Sequence, residues 1–188
     1  MRIHQSFILI ILIVAVGGFF YYANLPNNNV FVQSTAGTGS AKVLYCQEAR
    51  CDREVIQQIT DAQKFVYFSV YTITRPDIVN ALIGAKLRGL EVKGVTDFNQ
   101  SLIAEEKPEL SRMKKAGIQI EAPYKQDGLM HIKMLVTDVG YVSGSYNWTT
   151  AATTYNDEVI ETGNIEYIRS SYLQIFKRIW EKYKNSIL

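Results

Sequence analysis

From Phe7 to Ala23 the sequence reads FILIILIVAVGGFFYYA, seventeen residues without one charged side chain. The run has no polar face, so it cannot lie as an amphipathic helix between a core and water. Its length sits at the short edge of a membrane span and is long for the apolar core of a cleavable signal. Tyr21 and Tyr22 at its far end suit the bilayer interface. A cleavage site needs small residues at −3 and −1, which Tyr21-Tyr22-Ala23 lacks; Ser34-Thr35-Ala36 has them but lies well past the run. Residues 1–23 are therefore expected to be a membrane anchor or signal segment, the uncleaved anchor being favoured. Arg2, the only nearby basic residue, holds the amino end in the cytoplasm and places the remainder outside it. The expected location is periplasmic, tethered to the membrane or, after cleavage, secreted. Residues 24–41, rich in Asn, Gly, Ser and Thr, read as a flexible linker. That leaves 42–188 as one folded domain.

Composition narrows what the domain can be. With 47% hydrophobic residues it is too apolar for a disordered chain, and two Cys are too few for a disulfide scaffold. Arg2 is the only Lys or Arg in the first 41 positions, so the domain carries 19 basic against 18 acidic residues. Such a balance excludes a broad basic field, and attraction of an anionic substrate must be local.

Strand and helix signals then alternate. Lys42–Cys46 reads as a short strand, and Asp52 as the cap of a helix reaching about Gln63. The β-branched and aromatic run Phe65–Thr72 reads as a central strand. Pro76 opens a helix that Gly89 ends, and Glu91–Thr96 is the next strand. A helix over Pro108–Ala116 leads to a strand at Ile118–Glu121. His131–Thr137 and Tyr141–Gly144 form a hairpin around a turn at Asp138–Gly140. Glu158–Glu161 is a further strand, and Ile165–Lys184 a closing amphipathic helix. The pattern predicts an α/β fold, a mixed β-sheet flanked by helices on both faces.

Cys46 and Cys51 flank four residues at a strand-to-helix turn. In an oxidising compartment they could close a small disulfide; otherwise they are free thiols. Zinc would want four ligands where only two are present.

The chemistry concentrates later. On a strand, His131 and Lys133 share one face with Leu135, while Ile132, Met134 and Val136 take the other. A His beside a fixed positive charge fits an anionic substrate, the imidazole attacking or shuttling a proton. Asp138 has the opposite parity and sits where the strand ends, placed to bond turn amides. Gly144 permits close backbone approach, and Ser145 and Asn147 offer neutral donors for phosphate oxygens. Glu158 could hold the second ring nitrogen of His131 and fix its tautomer. Tyr146 and Trp148 could stack on bases or pack in the core. Lys114, Lys115 and Lys125 could edge a groove or be plain surface charges.

His131-x-Lys133-x4-Asp138, followed by Gly144-Ser145-x-Asn147 and Asn156-x-Glu158, resembles the HKD signature of the phospholipase D superfamily. GSYNWTTAATTYNDE is similar to the matching region of that family's small bacterial endonucleases, which carry one motif per chain. Tyr71–Ile78 and Ala85–Lys93 resemble its first conserved helix and strand. Five residues separate Asp138 from Gly144, one fewer than usual. The resemblance covers roughly residues 42–183 and carries His131, Lys133, Asp138, Asn147 and Glu158 over as catalytic positions. It likewise makes Ser145, Lys133 and Asn147 substrate-binding. It implies a phosphohistidine intermediate formed by one His, a second His protonating the leaving oxygen, and no metal or cofactor.

Two His must therefore meet, and the chain has only His4 and His131. His4 precedes the apolar run, so a homodimer with His131 facing its own copy is expected. The leading expectation is a metal-independent phosphodiesterase, an endonuclease on DNA or RNA. The alternative is a phospholipase D-type hydrolase of phosphatidyl lipids or cardiolipin, for which the anchor is apt. A non-catalytic nucleic-acid-binding module is the reading from another class.

Overall fold

The computed structural model describes residues 30–32, 39–124 and 128–184. The apolar run, His4, most of the linker and Lys125 lie outside the described residues. No helix among the described residues is long and apolar enough to cross a membrane.

Among the described residues eight strands and six helices follow in chain order: β1 (Val30–Val32), β2 (Ala41–Tyr45), α1 (Cys51–Asp61), β3 (Phe65–Val70), α2 (Pro76–Leu87), β4 (Glu91–Val95), α3 (Phe98–Ser101), α4 (Lys107–Lys115), β5 (Gln119–Glu121), β6 (Lys133–Thr137), β7 (Tyr141–Gly144), α5 (Thr150–Thr154), β8 (Val159–Gly163) and α6 (Glu166–Tyr183). They build one mixed sheet in the order β1-β2-β8-β7-β6-β3-β4-β5. β3, β4 and β5 run parallel, and β6 joins β3 antiparallel with Val70 opposite Lys133.

Helices cover both faces, as the alternating sequence predicts. On one face Val55 and Ile59 of α1 and Ile78 and Leu82 of α2 pack with Phe68 and Leu135. On the other, Phe176 and Tyr183 of α6 close over Met134 and Val136. The parity expected for β6 thus holds, with Leu135 and Met134 in different cores. Each of these fully buried aliphatic side chains contributes about 1.5–3 kcal/mol. The centre of the sheet leaves no slack: a Cβ on Gly94 would meet the Phe68 ring at 2.0 Å.

Several local expectations are corrected. Asp52 does not cap α1; the helix starts two residues earlier than such a cap implies, at Cys51 behind Arg50, and the Asp52 carboxylate turns inward to two arginines. Val30–Val32, placed in the flexible linker by composition, pairs with β2 as an edge strand. The strand expected from His131 begins at Lys133, and the one expected from Glu158 begins at Val159, so both functional candidates stand just outside strand ends. Two short helices had no periodicity long enough to read. α3 is capped by Asp97, whose Oδ1 accepts from the amides of Asn99 and Gln100, and α5 by Thr149, whose Oγ1 accepts from Ala152 N.

Candidate active site

The carboxyl ends of β3 and β4 share one end of the sheet with the start of β6, the end of β7 and the start of β8. Ligand sites in sheets with parallel strands gather at that end.

Lys133 opens β6 and is only 8% exposed. Its ammonium donates to the His131 carbonyl at 2.9 Å and stands 5.0 Å from the Tyr71 ring centroid. Burial pulls its pKa below the ordinary lysine value, while the nearby Glu158 carboxylate works the other way. His131 is exposed, its ring tilted against Tyr71 with centroids 4.8 Å apart. The structure therefore brings His131, Lys133 and Tyr71 together.

The second group lies across the β7–β8 junction. Glu158, also 8% exposed, accepts from the Ser145 hydroxyl at one oxygen and from Asn156 Nδ2 at the other, 3.3 Å away. Ser145 Oγ in turn accepts from Val159 N at 3.1 Å, and Ser145 N donates to Val159 O at 3.0 Å. The strands approach so closely that a Cβ on Gly144 would meet Val159 O at 2.0 Å. Two expectations are changed here. Glu158 is engaged by Ser145 and Asn156 and makes no hydrogen bond to the His131 ring. Ser145 gives its one proton to Glu158, so its donor is already committed.

Asn147 sits between two buried aromatics, and its Oδ1 is buried without a hydrogen-bond partner among the described residues. Its neighbours resolve the choice between stacking and packing. Tyr146 and Trp148 are 1% and 3% exposed, so both belong to the core. Asp138 stands at the opposite end of β6 from His131, about 20 Å away for seven extended residues. Its Oδ1 accepts from the amides of Gln63 and Lys64 at 3.0 and 3.1 Å, tying the hairpin to the loop before β3. Burial pushes its carboxyl up, but these amides outweigh it and hold the pKa below the usual carboxylate range. Asp138 bonds backbone amides as its parity implied, though those of a neighbouring loop, and it touches none of the other candidates. Lys115 is exposed; Lys114 lies near Glu121, and burial lowers its pKa.

Residues that sequence reasoning missed hold this end together. Asp97 Oδ2 accepts from Met130 N at 3.0 Å, fixing the approach to His131. Tyr71 N donates to Ile132 O at 2.9 Å, and Gln100 Nε2 donates to the Tyr71 hydroxyl at 3.0 Å. Glu106 is fully buried, accepting from Ile73 N at 3.1 Å and from Thr96 Oγ1 at 2.6 Å. Burial pushes its pKa up to about 7 against those two bonds. Asp97 after a strand was readable as a helix cap; Glu106, inside a Glu-Glu-Lys run, carried no signal of burial.

Cys46 and Cys51 form a disulfide, with Cα atoms 5.3 Å apart. Cys46 N donates to Glu158 O at 2.9 Å, so the bridge braces the start of β8. Beside it the 1%-exposed Asp52 accepts from Arg50 at 2.6 Å and Arg75 at 3.1 Å. Burial raises the pKa of this carboxyl, but the arginines outweigh it and hold it low. Among the described residues no three His, Cys, Asp or Glu side chains converge as a metal-ligand set.

Comparison with known proteins agrees with this arrangement. Residues 55–180 match the family described as "Cardiolipin synthase, PLD-like domain". The chain is 28% identical over 181 residues to a phospholipase D of Rickettsia prowazekii, covering 90% of this chain and 87% of that protein. It is 31% identical over 123 residues to the mitochondrial cardiolipin hydrolase of Xenopus tropicalis, covering 65% of this chain but only 57% of that protein. The fold superposes on the crystal structure of Nuc from Salmonella typhimurium, a phospholipase D family member, with a TM-score of 0.72 and 28% identity. That match covers 78% of this chain and 97% of Nuc. With the family profile spanning more than half its length, the chain belongs to the phospholipase D superfamily.

Proposed function

We propose that this chain is a metal-independent phosphodiesterase, an endonuclease that cleaves DNA or RNA through a phosphohistidine at a site shared by two subunits. The observation that carries the reading is the pairing of an exposed His131 with a nearly buried Lys133 on one aromatic platform. Lys133 supplies fixed charge for the equatorial phosphate oxygens, and His131 is free to approach phosphorus. A His131 ring nitrogen attacks, the N–P bond forms as the P–O bond to the leaving group breaks, and a second imidazolium gives that oxygen its proton. Water then attacks phosphorus, yields a proton to the second imidazole, and releases His131.

Of the two His in the chain, His4 is separated from the domain by the apolar run. The second imidazole is therefore His131 of another copy, across a two-fold axis. We also propose that residues 1–23 anchor the protein, residues 24–41 link it, and the domain at 42–188 works outside the cytoplasm. The likeness of Gly144–Glu158 to the family's small bacterial endonucleases, together with a match that covers 97% of Nuc, supports the nuclease reading. The rickettsial phospholipase D and the cardiolipin hydrolases keep lipid hydrolysis as the second reading.

The test is the full chain in detergent with EDTA present, given plasmid DNA, RNA and cardiolipin vesicles in parallel. Nucleic-acid cleavage with intact vesicles is expected; the reverse overturns the order of the two readings. Mixed dimers of wild type and His131→Ala should be inactive, and turnover by a monomer in sedimentation would rule out the shared site.

A further inference from the structure

We propose that a groove between the approach to β6 and the last turns of α6 is a subsite for a phosphate flanking the scissile one on a single-stranded polynucleotide. This rests on the nuclease reading. The groove encloses about 230 Å³, and His131 forms part of its wall. Met130, Ile132, Ile179 and Tyr183 make an apolar floor, and Arg178 and Lys182 stand on the helix side.

The cations are what give the groove a ligand. Arg178 is exposed and has no hydrogen bond or ion pair among the described residues. Five other arginines of the domain are committed, Arg50 and Arg75 to Asp52, Arg88 to the Ile59 carbonyl, Arg112 to Glu109 and Arg169 to Glu166, while Arg53 is exposed like Arg178 but lies on α1, outside the groove. Lys182 Nζ rests 5.0 Å from the Tyr183 ring centroid, and the nearest acid in sequence, Glu181, pairs with Lys184. Among the described residues no acidic side chain lines the groove. Two uncompensated cations beside a nucleophile hold an anion, and the planar guanidinium suits phosphate oxygens.

The same cations are displaced from Lys133, which takes the scissile phosphate. Only a substrate with a second phosphate uses both places. Arg178 and Lys182 lie one helical turn apart, about 6 Å along the axis. That spacing lets them track a backbone, while the apolar floor takes the sugar or base face from water. At about 230 Å³ the groove has room for one strand rather than a duplex.

The test uses the full chain in detergent carrying His131→Ala, titrated with a fluorescein-labelled 12-nucleotide single strand by anisotropy at several salt concentrations. Adding R178A and K182A should weaken binding about tenfold and reduce the slope of log Kd against log salt by about 0.7, the value for one phosphate contact on a single strand. An equal-charge control, K64A with K86A at the opposite end of the sheet, should shift Kd less than twofold. Equal shifts for the two pairs, no shift for R178A with K182A, no binding of the strand, or binding of cardiolipin vesicles in its place would each overturn the subsite. Cleavage of the same strand by the protein with His131 intact is scored separately. An uncut strand that still binds through Arg178 and Lys182 sinks the nuclease reading and keeps the subsite; a cut strand indifferent to both residues does the opposite.

Discussion

The Lys133 ammonium donates to the backbone carbonyl of His131, two residues upstream, at 2.9 Å. With Met130 N on Asp97 and Tyr71 N on Ile132 O, this bond keeps the segment before β6 from fraying. Lys133 thus holds His131, the proposed nucleophile, while placing positive charge beside it. Lys133→Met keeps the aliphatic stem and removes both effects. It should lower kcat/KM for phosphodiester cleavage by about 10²–10³-fold, the scale for losing one preorganised charge-stabilising donor. Lys133→Arg should not restore activity, because a planar fork does not fit a pocket shaped for a compact ammonium. Steady-state kinetics with circular dichroism as a fold control checks both, and wild-type rates in Lys133→Arg would contradict the account.

Tyr71 serves as the platform for both groups, its ring centroid 4.8 Å from that of His131 and 5.0 Å from Lys133 Nζ. Its hydroxyl bond to Gln100 is a separate contribution. Tyr71→Phe should cost about 1 kcal/mol of stability, one ordinary hydrogen bond, with kcat changed less than about threefold. Tyr71→Ala also removes the ring that orients the imidazole, and kcat should fall at least about tenfold. The comparison of kcat between the two variants decides whether ring or hydroxyl matters.

The alternation of apolar strands and amphipathic helices made the architecture legible, because both periods are local. The parity of β6 was legible for the same reason: residues two apart must share a face, so Lys133 and Leu135 separate from Met134. Long-range commitments were not. Nothing in a linear reading indicates that Ser145 spends its proton on Glu158, or that Asp138 ties down the loop of Gln63 and Lys64 rather than its own turn. Those outcomes depend on which elements the sheet brings side by side. Glu106 was least legible, since its burial arises from packing between Ile73 and Thr96, far from its charged neighbours in sequence.

Glu158 accepts at both oxygens, from Ser145 and from Asn156. Glu158→Gln turns one of those acceptors into a donor facing another donor. The variant should lose about 1–3 kcal/mol, the cost of an unsatisfied buried polar group. Ser145→Ala leaves Val159 N and a Glu158 oxygen without their shared partner, so the two changes act on one cluster. Urea melts of both single variants and the double variant should give a double-variant loss smaller than the sum. Additive losses would show that the two side chains are not coupled.

Glu106 should make stability depend on pH in a direction opposite to that of Asp52 and Asp138. Its pKa is raised to about 7 in the folded chain from an ordinary value of 4.5. Below about pH 4.5 the carboxyl is protonated in both folded and unfolded chains and costs nothing. Between about 4.5 and 7 the unfolded chain releases the proton while the folded chain keeps it, so stability falls as pH rises. The loss is complete above about 7 and amounts to about 3 kcal/mol. Asp52 and Asp138 have lowered values, so their contributions are present above the usual carboxylate range and are lost only as pH falls through it. Between pH 5 and 8 the change therefore belongs to Glu106. Glu106→Gln keeps the shape, accepts from Ile73 N with its carbonyl oxygen and donates to Thr96 Oγ1 with its amide. Urea melts should find the Gln variant within about 1 kcal/mol of wild type at pH 5 and about 3 kcal/mol more stable at pH 8. A gap of the same size at both pH values would mean that Glu106 does not titrate in this window.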